Sequence, residues 1–166
     1  MPVFVHIADA RDGAAIRRSG LRISRQRLQW AGEGRPGGIY ALPVVADFTV
    51  THQWLRELKT RGHRTAIGIY FRLPDDEPVW AGQYNKAKEP LTAAEAANTL
   101  RQSGMLGYEV IIPRAIGPRE ITAIRALPQT IGWRYFPGSH DRPPCGCDYC
   151  QRGGINARRI RERLGD

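Results

Sequence analysis

Three mostly apolar segments each carry one side chain able to do more than pack: His6 in VFVHIA, Tyr40 in GGIYALPV and Glu109 in GYEVIIP. Singly, each has an ordinary explanation. A histidine beside a core holds a structural hydrogen bond, a strand tyrosine packs its ring, and a glutamate between Tyr108 and Val110 faces water on an edge strand. Together, an imidazole, a phenol ring and a carboxylate suit a site that orients a polar ligand and stabilises positive charge. A second group lies in the tail, where His140, Cys145, Cys147 and Cys150 form H-x4-C-x-C-x2-C. Zinc takes four such ligands tetrahedrally, and a Pro- and Gly-rich turn lets the chain wrap the ion. The other reading is three reduced, partly buried thiols.

The elements that must position these residues follow from the pattern. Val3, Val5 and Ile7 alternate with Phe4 and His6, predicting a strand with His6 on the face opposite the valines. Asp9 and Asp12 precede AAIRRSG, a short helix closed by Gly20. Residues 24–38 read as an irregular surface loop rich in Arg, Gly and Gln. A second strand carries Tyr40 near its start and ends at Pro43. Asp47, Thr49 or Thr51 then caps a helix on which Val50, Trp54, Leu55 and Leu58 recur at helical spacing before Gly62. RTAIGIYFRL and PVWAGQY are strands. Thr92 and Glu95 make a capping-box pattern for a helix from about residue 93 to 103, stopped by Gly104. GYEVIIP reads as a buried strand, and EITAIRAL and TIGWRYFP are strand-like. Short strands interrupted by three short helices, without regular βαβ alternation, predict an α+β domain. GEGRPGG follows no clear strand and opens no helix, so a Rossmann or P-loop reading fails its context.

The chain has 166 residues, room for one core and little for a second. Hydrophobic residues make up 42% and charged residues 25%, a globular balance. No apolar run reaches the ~20 residues of a membrane helix. The opening MPVFVHIADARDG lacks the features of a signal peptide, and three crowded cysteines make poor disulfide partners, so a cytoplasmic location is expected. The formal net charge is +9, and arginine dominates the cations. Arginine makes forked contacts to phosphate, so an anionic partner is expected, either nucleic acid or a dinucleotide.

VHIA, AIRRSGLRI, GIYALP and YEVII stand in the order of the His-Tyr-Glu motifs of the ADP-ribosyltransferase superfamily, and the chain resembles its poly(ADP-ribose) polymerase branch over about residues 2–50 and 107–121. EVIIPRAIGPREI also looks like the catalytic-Glu strand of DarT-type DNA ADP-ribosyltransferases. The resemblance implies split antiparallel β-sheets with short flanking helices, and NAD as substrate. It implies that Glu109 stabilises the cationic ribose and bonds its 2′-hydroxyl, that His6 bonds an adenosine ribose hydroxyl, and that Tyr40 packs beside the nicotinamide. Ile7 stands where the family usually has Gly approached by the nicotinamide amide, which leaves a backbone contact but changes the pocket. Phe48 or Trp54 would complete the aromatic stack, with core packing the expected role for Trp54.

Residues 1–137 are therefore expected to form the catalytic domain and 138–166 a Cys- and Arg-rich appendage. The expected activity is mono-ADP-ribosylation with release of nicotinamide, the favoured acceptor being nucleic acid. Arg158, Arg159 and Arg161, with Arg163, would contact phosphates, and the cysteine group would hold a structural zinc. The alternatives are modification of a protein by a toxin or defence factor, and a non-catalytic nucleic-acid-binding module on the same fold.

Overall fold

A computed structural model of the chain describes residues 1–23, 37–60, 64–84 and 86–132. Seven strands form one antiparallel sheet: β1 Val3–Asp9, β2 Ile39–Pro43, β3 Ala66–Arg72, β4 Pro78–Gln83, β5 Glu89–Thr92, β6 Tyr108–Ile112 and β7 Ile121–Ala126. Their order across the sheet is β5-β4-β6-β2-β1-β3-β7. Four α-helices accompany them among the described residues: α1 Gly13–Ser19, α2 Phe48–Thr51, α3 Leu55–Thr60 and α4 Ala93–Ser103. This is the α+β architecture that the strand and helix pattern predicted. Among the described residues, no helix is long and apolar enough to cross a membrane.

The sheet is joined unevenly. β1 pairs with β3 along its whole length, from Val3↔Arg72 to Asp9↔Ala66, but meets β2 only at Phe4↔Pro43 and Val5↔Leu42. β2 in turn pairs with β6 from Ile39↔Ile112 to Ala41↔Val110. Two well-paired groups of strands thus meet at a short seam between β1 and β2, and His6 and Tyr40 lie just past the last paired residues.

Alternation along β6 sends Tyr108, Val110 and Ile112 to one face and Glu109 and Ile111 to the other. α4 covers the first face, burying Ala93, Ala96, Ala97 and Leu100, while the Tyr108 hydroxyl donates to the Ala96 carbonyl. Thr92 and Glu95 form the expected capping box, and Gly104 ends α4 in the left-handed region. Over the opposite face lie α2 and α3, where Leu55 clusters with Ile7, Ala66, Leu127 and Ile131. Gly20 closes α1 with φ of 74°, and a Cβ there would lie 2.0 Å from the Ile116 carbonyl oxygen, so the close bridge from Leu21 to Ile116 requires glycine.

Three sequence expectations are corrected. The single helix expected after Asp47 is two short ones. Asp47 does cap the first, accepting from the Thr49 and Val50 N–H groups, but the Gln53 side-chain amide donates to the Val50 carbonyl and the His52 ring to that of Phe48. These side chains compete with the backbone for acceptors, and the chain turns before α3 starts. Second, residues 89–92 form an edge strand that the pattern did not reveal. Pro90 lowers its strand propensity and is tolerated because β5 pairs on one side only, with β4. Third, residues 130–132 of the expected TIGWRYFP strand are a turn and bend; the remainder of that segment, the tail appendage and most of the 24–38 loop lie outside the described residues.

Candidate functional site

The strands that carry His6, Tyr40 and Glu109 are the three adjacent central ones, β1, β2 and β6. Tyr40 lies opposite Ile111, two residues from Glu109, so both side chains belong to the α2–α3 face as diagonal neighbours. His6 pairs with Ile69 across β3 and by alternation shares the other face with Phe4. Its ring nevertheless reaches into the seam: Nδ1 lies 2.6 Å from the Tyr40 carbonyl oxygen. A carbonyl only accepts, so Nδ1 carries the proton, and in the neutral ring Nε2 is then an acceptor. The imidazole substitutes for a ladder hydrogen bond where β1 and β2 part, and this ties the His6 ring to the tyrosine backbone.

Glu109 is sheltered, its side chain 13% exposed. Its Oε2 lies 2.9 Å from the Lys88 Nζ, and among the described residues no group takes Oε1. Gly82 lies directly opposite Glu109 on β4, so no side chain stands beside the carboxylate from that strand. Aromatic groups gather around the start of β6. The Trp54 indole N–H donates to the Tyr108 carbonyl at 2.8 Å, and the Tyr84 ring meets Trp54 edge-on at 5.2 Å. Trp54 is half-buried and fixes the turn between α2 and α3 to β6, the packing role expected for it. Trp80 lies opposite Ile111 from β4, in the same row as Tyr40.

Ile7 and Phe48, both expected near the nicotinamide, belong to one apolar cluster. Ile7 is buried, so its side chain is core and only its backbone is suited to a ligand contact. Phe48 is half-buried and packs on His52 with ring centroids 4.0 Å apart. His52 is fully enclosed: Nδ1–H donates to the Phe48 carbonyl, and the Tyr70 hydroxyl donates to Nε2 at 2.9 Å. Burial pushes the His52 imidazole down to about 4, so it is neutral near pH 7. The same loss of water raises the Tyr70 phenol.

Other ionic groups are structural. Asp9 ends β1 and accepts from the Arg11 guanidinium and from the Arg11 and Arg64 N–H groups, which hold its carboxyl well below the usual range. Arg114 forks between Glu77 and Glu120, tying the loop after β6 to the loop before β4. The two carboxylates raise the Arg114 guanidinium, and Arg114 in turn lowers Glu120.

Lys88, Gln53 and His52 are the site residues that the sequence pattern did not single out. Gln53 is fully buried; its amide nitrogen donates to the Val50 and Met105 carbonyls, and its oxygen accepts from the Gly107 N–H two residues before Glu109. The one signal for Lys88 was its type, a lysine in a chain whose cations are mostly arginine. Among the described residues, no cluster of His, Cys, Asp and Glu could hold a metal ion. His140, Cys145, Cys147, Cys150, Arg158, Arg159 and Arg161 lie outside them. Comparison with known proteins adds no relative: no family model, curated protein or solved structure matches the chain.

Proposed function

We propose that this chain is an NAD-dependent mono-ADP-ribosyltransferase with Glu109 as its catalytic residue. The observation that carries the reading is that His6, Tyr40 and Glu109, spread over 103 residues of sequence, stand on three adjacent central strands, with Tyr40 and Glu109 on one face and the His6 ring bonded to the Tyr40 carbonyl. The donor set suits the substrate. The Glu109 Oε1 is suited to a ribose hydroxyl, the His6 Nε2 to a second sugar hydroxyl, and the aromatic rings of Tyr40 and Phe48 to the flat nicotinamide.

In the reaction, the bond between nicotinamide nitrogen and ribose C1′ breaks and its electron pair leaves with the nicotinamide. Positive charge develops on the sugar, where a sheltered carboxylate interacts with it more strongly than with the neutral sugar of a product. An acceptor oxygen or nitrogen then bonds to C1′ and loses its proton to water. His6 and Tyr40 contribute by orientation. Nucleic acid is the favoured acceptor, on the strength of the +9 charge and the arginines. A structural zinc on His140, Cys145, Cys147 and Cys150 belongs to the same proposal and rests on their spacing.

One observation favours a non-catalytic binding module: Glu109 already has a cationic partner in Lys88, which gives the carboxylate a structural reason to be there. The readings separate on nicotinamide release from NAD, assayed with and without single-stranded DNA or RNA. Glu109→Gln is expected to cut the release by about 10²–10³-fold, the scale of losing one preorganised electrostatic group. If the unaltered protein binds nucleic acid and releases no nicotinamide under any of these conditions, the module reading stands.

A further inference from the structure

The geometry points to Lys88 as the residue that positions the Glu109 carboxylate, a role that rests on the catalytic reading of Glu109 given above. The Lys88 side chain is only 2% exposed. Its ammonium donates to the Gln83 carbonyl at 2.7 Å and to the Lys86 carbonyl at 3.1 Å, and contacts the Glu109 Oε2 at 2.9 Å. An ammonium has three N–H groups, and here three acceptors use them all. Two of those acceptors are backbone carbonyls, at the end of β4 and in the turn that follows it, so the cation is held in place before it meets the carboxylate.

The surrounding backbone reserves the space for this arm. Gly82 faces Glu109 across the β4–β6 pair, and a Cβ on it would lie 3.1 Å from the Ala87 carbonyl oxygen and 3.4 Å from the Lys88 Cδ. Lys88 therefore reaches Glu109 past β4 at Gly82, the residue with no side chain to stand between them. Pairing of Ala81 with Glu89 fixes the chain one residue beyond it. With Oε2 fixed by the lysine, Oε1 has one direction, and the carboxylate meets its substrate without rotating. A charged partner also keeps a sheltered carboxylate from standing alone, which is costly in a low-dielectric site.

Lys88→Met keeps the unbranched stem of the side chain and removes the ammonium. It is expected to lower kcat for nicotinamide release by about a hundredfold, the cost of a misplaced catalytic group, with KM for NAD changed little. Gly82→Ala keeps both charges but presses on the Ala87 carbonyl next to Lys88 and strains the backbone there, so the turn that holds the lysine shifts and kcat should fall by about tenfold in the same pattern. In the Glu109→Gln background, Lys88→Met should cost nothing further, since the lysine acts through the carboxylate. A kcat within twofold of the unaltered protein for Lys88→Met, a loss confined to KM, or a full further loss on top of Glu109→Gln would overturn the assignment. The Lys88 ammonium resonance in 15N NMR reports the contact without turnover: a slowly exchanging signal that Glu109→Gln shifts or abolishes supports the pinning, and the same signal in both proteins refutes it. Absence of nicotinamide release from the unaltered protein would count against the transferase reading, while the NMR result still decides whether Lys88 holds Glu109.

Discussion

At the scale of single residues, the site depends on side chains whose chemistry is set by what encloses them. His52 is the clearest case, a buried neutral imidazole between the Phe48 carbonyl and the Tyr70 hydroxyl, under the Phe48 ring. Its folded pKa of about 4 lies below the ordinary 6.5, so between these values the unfolded chain binds more protons. Stability from this residue is therefore complete above pH 6.5 and is lost as pH falls through the window to about 4. A difference of this size corresponds to roughly 3 kcal/mol. Thermal unfolding followed from pH 7 to 4 should show a steeper fall for the unaltered protein than for His52→Gln, which has no proton to take up; parallel curves would mean that His52 is not buried neutral. Nothing in the sequence around His52 announced this. An imidazole that follows Phe48 by one helical turn looks like any polar helix residue until the helix breaks, whereas His6, Tyr40 and Glu109 were visible because a polar or hydroxylated side chain interrupts an apolar alternation.

At the scale of elements, local signals succeeded where the backbone obeys its own propensities. The ends of α4 were legible from Thr92, Glu95 and Gly104, since capping chemistry depends on neighbours in sequence. β1, β2 and β6 were legible from alternating apolar residues. The break between α2 and α3 was not, because it depends on Gln53 meeting Met105 and Gly107, partners 52 and 54 residues away. Nor was β5, whose pairing with β4 outweighs the poor strand propensity of Pro90. These long-range bonds make Gln53 the joint between the α2–α3 turn and the segment that leads into β6. Gln53→Leu would leave the buried Gly107 N–H and the Val50 and Met105 carbonyls without this partner. Each unsatisfied group costs about 1–3 kcal/mol, so the variant is expected to lose at least about 2 kcal/mol, read as a lower urea midpoint at unchanged slope. A loss below about 0.5 kcal/mol would show that the turn and β6 are joined by Trp54 and its bond to the Tyr108 carbonyl instead.

At the scale of the whole molecule, the proposed NAD site and the arginines proposed to hold the acceptor belong to different parts of the chain. The proposed NAD site uses the central strands of the sheet, where apolar packing holds a few polar groups. The net charge of +9 is a property of the full sequence, and its densest block of arginines is Arg158, Arg159 and Arg161 with Arg163. If those residues hold phosphates, each contact releases counterions, and the logarithm of the binding constant falls with the logarithm of salt by about 0.7 per phosphate on single strands. Changing Arg158, Arg159 and Arg161 together to Gln in the full chain should reduce that slope by about 2 and weaken binding similarly for all sequences, because phosphate contacts carry no base information. Nicotinamide release in the absence of nucleic acid should be unaffected, since these arginines are given no part in holding NAD. An unchanged slope would move the nucleic-acid contact onto the sheet domain, where Arg17, Arg18 and Arg22 lie exposed on and just beyond α1; a reduced slope with intact NAD turnover would establish that the chain grips its acceptor with one region and modifies it with another.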